Sequence, residues 1–186
     1  MRRILFVSFA LALIPSLAAA AEPFGKPLQK ICAELQSDGW TAPANPLTQK
    51  RGKAEMSIPG KLYICMLARE MKPAGSGHAP DLQALLSETR EERSIILSAH
   101  IWCAADRAAT FDALAKQLER VAGNVPAPIS SALRAGKEAK ATAGGLAFEV
   151  EPVEVDEAAC EHVPAGQLGP VLMELGVAVK PAAPTP

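Results

Sequence analysis

Four cysteines and three histidines carry the metal or nucleophilic chemistry open to this sequence. His100-Ile101-Trp102-Cys103 and Cys160-Glu161-His162 form two histidine–cysteine pairs. Were Cys103 and Cys160 to meet, His100, Cys103, Cys160 and His162 would offer two nitrogens and two sulfurs, a set suited to zinc or copper. Two facts weigh against that metal-handling alternative. On a regular strand His100 and Cys103 point to opposite faces. Adjacent thiols outside the cytosol oxidise to each other, and a disulfide offers no thiolate.

The same count therefore reads as a disulfide framework. Cys32, Cys65, Cys103 and Cys160 all lie beyond an apparent export leader, and an even number in an oxidising compartment pairs off. The expected pairing is Cys32 with Cys65 and Cys103 with Cys160. No C-x-x-C occurs, so a thioredoxin-like centre is not expected. Gly75-Ser76-Gly77-His78 is not the G-x-S-x-G elbow of hydrolases; its Gly/Ser composition is that of a linker. The enzymatic alternative is an envelope hydrolase using His100 with carboxylates from the third predicted strand. No cofactor and no metal are expected.

These residues are positioned by the stretch Ser94–Asn124, which reads as a strand running into a helix. Ile95, Leu97, Ala99, Ile101 and Cys103 alternate with Ser94, Ile96, Ser98, His100 and Trp102, giving one dry face and one mixed face. Ser98, His100 and Trp102 on the mixed face are the candidate binding residues. Asp106 is placed to cap the helix, Phe111, Leu114, Leu118 and Val121 form its apolar stripe, and Gly123 ends it.

Upstream, Met1 to Ala21 reads as a signal peptide. Arg2 and Arg3 precede an apolar run that ends in small alanines. That run is short for a membrane span, and no cysteine marks a lipid-anchor site, so no stable membrane anchor is expected. Removal of the leader takes the formal charge from -1 to -3, which is no footprint for nucleic acid. Aromatic residues are too few for a stacking platform. Glu149, Glu151, Glu154, Asp156, Glu157 and Glu161 form an acidic run without the spacing of a calcium loop.

The remaining elements are read from periodicity. Leu28, Ile31, Cys32 and Leu35 predict a helix opened by Pro27 and closed by Gly39. Thr41 to Gly60 reads as loop, Leu62 to Ala68 as a strand, and Leu82, Leu85 and Leu86 as a short helix behind Asp81. Ile129, Ala132 and Leu133 predict a helix ended by Gly136. Leu146, Phe148 and Val150 predict a third strand, with a bulge or strand end at Pro152 where the apolar phase shifts to Val153 and Val155. Leu168, Val171, Leu172 and Leu175 predict a last helix.

The expected architecture is a single disulfide-stabilised α+β domain over residues 22–179, followed by a disordered Pro/Ala tail over 180–186. It has a small antiparallel sheet of about three main strands, with helices packed largely on one face. The expected role is that of a periplasmic or secreted, non-enzymatic domain binding a protein or a small ligand of the cell envelope.

Overall fold

The computed structural model describes residues 23–43, 51–70, 81–103, 107–154, 161–162 and 171–183. The expected leader, the linker with Ser76 and His78, the Asp106 cap, Asp156, Glu157, Cys160 and the start of the expected last helix lie outside the described residues.

The chain opens on helix α1 (Leu28–Ser37), which buries Leu28, Ile31, Cys32 and Leu35 as one stripe. Pro27 precedes it with the extended backbone of an N-cap. Past Gly39, whose φ is +85°, the Trp40 amide returns to the Leu35 carbonyl at 3.2 Å, and Trp40 is fully packed in the core. Four strands follow: β1 (Glu55–Ile58), β2 (Leu62–Glu70), β3 (Asp81–Thr89) and β4 (Arg93–Trp102). Helices α2 (Arg107–Ala122) and α3 (Ala127–Ala135) come next, then β5 (Ala139–Ala143), β6 (Leu146–Glu154) and β7 (Val171–Pro181).

The strands form one seven-stranded sheet in the order β1-β2-β3-β4-β7-β6-β5, and every neighbouring pair is antiparallel. This overturns the expected small sheet of about three strands. Two of the additional strands occupy stretches whose leucines also fit a helical period. In β3 the buried set is Leu82, Ala84 and Leu86, and in β7 it is Met173, Leu175, Val177 and Val179. That is alternation at period two, so pairing with neighbours buries a whole row where a helix would bury a partial stripe. β7 continues through Lys180 and Pro181, opposite Ala147 and Leu146, at the start of the expected tail. β1 falls inside the expected loop, and its four residues are all exposed. β5 joins β6 through Gly144 and Gly145, both at positive φ, as a two-residue hairpin turn requires.

One sheet face carries the core. Tyr63, Cys65 and Leu67 of β2, the buried rows of β3, β4 and β7, and Leu146, Phe148 and Val150 of β6 form a single cluster with the helices. α1 lies on β2 and β3, α2 on β4, and α3 on β5 and β6. Cys32 of α1 is bonded to Cys65 of β2, with Cα atoms 6.3 Å apart, so the first staple pins a helix to the inner face as the pairing predicts. Cys103 is disulfide-bonded as well; Cys160 lies outside the described residues.

The expected irregularity at Pro152 is absent. β6 pairs with β7 without interruption from Leu146↔Pro181 to Glu154↔Met173, and Val153, 57% exposed, stays on the outer face. Within β6 the phase holds, and Val153 is an apolar residue facing outward; Val155 lies outside the described residues. The irregularity lies instead between Ile101 and Trp102, whose partners on β7 jump from Met173 to Val171.

Candidate functional site

Among the described residues no helix packs on the second face of the sheet. The outward positions of β4 are Ile96, Ser98 and His100. A residue opposite another across an antiparallel pair shares its face, so the register defines the surroundings. Ile96 lies between Leu85 and Ala178, Ser98 between Gln83 and Gly176, and His100 beside Glu174. On the outer strands the rows extend to Met66 opposite Leu85, to Glu151 opposite Gly176, and to Val153 opposite Glu174.

Three rows thus cross the strands. Met66, Leu85, Ile96 and Ala178 make an apolar ridge, on which Met66 is 50% and Ile96 38% exposed. Small residues, Ser98 and Gly176, form a low floor beside it. His100, Glu174 and Val153 stand on the far side. At the β2–β4 end this relief closes into a groove of about 200 Å³, lined by Pro43, Met66, Gln83, Leu85, Ile96 and Ser98.

His100 is held from two sides. Its Nε2 lies 3.7 Å from Glu174 Oε2, and its Nδ1 is 3.5 Å from Gln83 Nε2. The amide nitrogen can only donate, so Nδ1 accepts and the neutral ring carries its proton on Nε2, toward the carboxylate. Ser98 Oγ makes no hydrogen bond to His100 among the described residues. Trp102 is half-buried, and its indole nitrogen is buried with no hydrogen-bond partner among the described residues. Cys103, bonded in a disulfide, is removed from any thiolate ligand set. His162 is exposed in a turn, and no cluster of three metal-ligating side chains occurs among the described residues.

Glu149 on the same face is paired with Lys140. That contact holds the Glu149 carboxyl below the usual range and raises Lys140. Glu151 has no ion-pair partner among the described residues, and Glu174 has only His100.

A larger cleft of about 560 Å³ lies at the sheet end, where the β1–β2 and β3–β4 turns meet Pro181. Its charges are mixed and partly spent within the fold. Arg90 Nε donates to the Gly60 carbonyl at 3.0 Å, and Arg93 pairs with Glu88 at 2.6 Å. The smaller groove, on the face that no described helix covers, joins an apolar ridge to the His100–Glu174 contact and is taken as the candidate site.

No family model, curated protein or solved structure matches the chain.

Ser98 and His100 fall on this face, as the alternation of the strand predicts. Glu174, Gln83, Gly176, Leu85 and Met66 were not expected there. The signal that could have found them is the alternation in β3 and β7, which puts Leu85, Glu174 and Gly176 opposite the apolar row.

Proposed function

We propose that this protein is an exported binding domain that carries a partner on the open face of its sheet. The observation that supports this reading is the apolar ridge of Met66, Leu85 and Ile96 beside a groove, on the face no described helix covers. A soluble surface that leaves large apolar side chains contiguous marks a contact site more often than scattered single ones do.

Export rests on the leader and on the disulfide chemistry. The mature chain begins at Ala21 or Glu22 and resides in the periplasmic or secreted fraction. N-terminal sequencing of the native product checks this, and an intact Met1 on a cytosolic product removes it. The binding face is tested with a photo-crosslinking residue placed at Ile96, and at Lys116 on α2 as a control. Ile96 yields a crosslinked product in the native compartment and Lys116 does not. Equal crosslinking from both positions, or none from Ile96, sinks the assignment.

A further inference from the structure

We propose that the open face takes a basic amphipathic polypeptide segment: an apolar side chain seats in the groove against Met66, Leu85 and Ile96, and a Lys or Arg reaches Glu174 and Glu151. This deepens the open-face reading and rests on it. Three observations select the class. The groove, about 200 Å³, is smaller than the roughly 300–1,000 Å³ that enclose drug-sized ligands. It suits one large side chain, and an acyl chain or cofactor would need more enclosure.

The second observation is charge. Glu151 faces Gly176 and Glu174 faces Val153 on neighbouring strands, so the two carboxylates are diagonal neighbours on one surface. Glu151 is exposed, and the Glu174 side chain is 47% exposed. Lys140 is paired with Glu149 and also feels Glu151, Glu174 contacts His100, and Lys180 lies two rows away on the same face. The three carboxylates Glu149, Glu151 and Glu174 outnumber these two lysines, so the face favours a cation over an anionic lipid headgroup.

The third is spacing and relief. The groove lies over β3 and β4 and the carboxylates over β6 and β7, two strand spacings apart, or about 10 Å. Three residues of extended chain or seven of helix span that distance. Between the two points the floor is Ser98 and Gly176. Gly176 has ordinary backbone, and a Cβ there would make only an ordinary van der Waals contact, with the Glu151 carbonyl oxygen at 3.7 Å. The fold does not require glycine at this position, whereas a segment lying across the strands needs the floor low.

The experiment selects a random twelve-residue peptide library against the intact mature protein. Enriched peptides carry Lys or Arg about three or seven positions from a large apolar residue. They bind a Glu151→Gln/Glu174→Gln variant about tenfold more weakly, with a shallower salt dependence. Gly176→Leu removes binding; Gly176→Ala, which the backbone accepts freely, weakens it less, and circular dichroism checks that both fold. Glu119→Gln on α2 leaves binding unchanged.

Enrichment of acidic or uncharged peptides that Gly176→Leu still abolishes overturns the basic-partner inference while the open-face reading stands. Peptides indifferent to Gly176→Leu sink both. Failure to enrich any peptide, or binding to phosphatidylglycerol vesicles in its place, also overturns the inference.

Discussion

Burial and the Glu55 carboxylate together hold the Tyr63 phenol protonated, raising its pKa above the ordinary value; its hydroxyl donates to Glu55 Oε2 at 3.0 Å. A group whose folded pKa is raised contributes stability that is complete below its unfolded pKa, about 10 for tyrosine, and is lost as pH climbs beyond it. Tyr63→Phe should cost about 1 kcal/mol at neutral pH through the lost hydrogen bond, and its stability should fall less steeply above pH 10. Urea midpoints from neutrality to pH 11 for both proteins check this; parallel curves would refute it. The carboxyls of Glu34 and Asp112, held low chiefly by Lys26 and Lys116, work in the opposite window. Their contribution is present above the unfolded carboxylate pKa and is lost as pH falls below about 4. Both pairs reach solvent, the Lys26–Glu34 pair half-buried and the Lys116–Asp112 pair more exposed, so added salt mutes this acid loss. The cysteines act through the unfolded chain. Cys32 and Cys65 are 33 residues apart, so replacing both by serine should remove about 4 kcal/mol in the chain-entropy account, read as a shift in the denaturation midpoint. Peptide mapping without reductant should detect no free thiol and should join Cys103 to Cys160.

The elements differ in how plainly their residues announce them. α1, α2 and α3 each bury one stripe at helical period, and the alternation in β4 and β6 is equally clear, so these were legible. In β3, Leu82, Leu85 and Leu86 satisfy a helix while Leu82, Ala84 and Leu86 satisfy a strand. The ambiguity comes from Leu85, an apolar residue on the open face, and the feature that hides the strand is the one that marks the candidate site. In β7, Gly176 reads as a helix stop after Leu175, which conceals Val177 and Val179. The partner of His100 was lost with that strand, because Glu174 can be placed beside His100 only once β4 and β7 are paired. β1 has no buried face, so no pattern could show it. The close of α3 offers a test of element packing. Gly136 has φ +61°, and its amide and that of Lys137 return to Leu133 and Ala132, a left-handed helix end. A Cβ at Gly136 would also lie 2.8 Å from the Phe111 ring of α2. Gly136→Ala should therefore cost about 2–4 kcal/mol, of which roughly 1–2 is the left-handed backbone. In a Phe111→Leu background the same change should cost only the backbone part. A double-mutant cycle of denaturation midpoints measures the difference, and strict additivity would show that the ring gives way without cost.

At the scale of the whole molecule, the topology divides into two similar halves that meet at the β4–β7 pair. Each half is a meander with a helix on its inner face: α1 on β2 and β3, α3 on β5 and β6. The last strand of each meander pairs with that of the other, Ile95 to His100 running opposite Val179 to Glu174. Alone, either half would expose a full strand edge and an apolar row, Ile95, Leu97, Ala99 and Ile101 on one side, Met173, Leu175, Val177 and Val179 on the other. All of these are buried in the joined sheet. The cost of leaving that edge and row exposed makes the two halves one cooperative unit. Amides of β4 and β7 should then exchange with solvent only through global unfolding, with an opening free energy equal to that from denaturation. β1, a four-residue edge strand with every residue exposed, should exchange through local fraying at a much lower free energy. Hydrogen exchange resolved by residue, compared with the urea stability of the same sample, reads both. If the amides of β5 and β6 open together at a lower free energy than those of β2 and β3, the halves unfold separately. The seam would then be a docking contact between two stable units, and cooperativity across it would have to be abandoned.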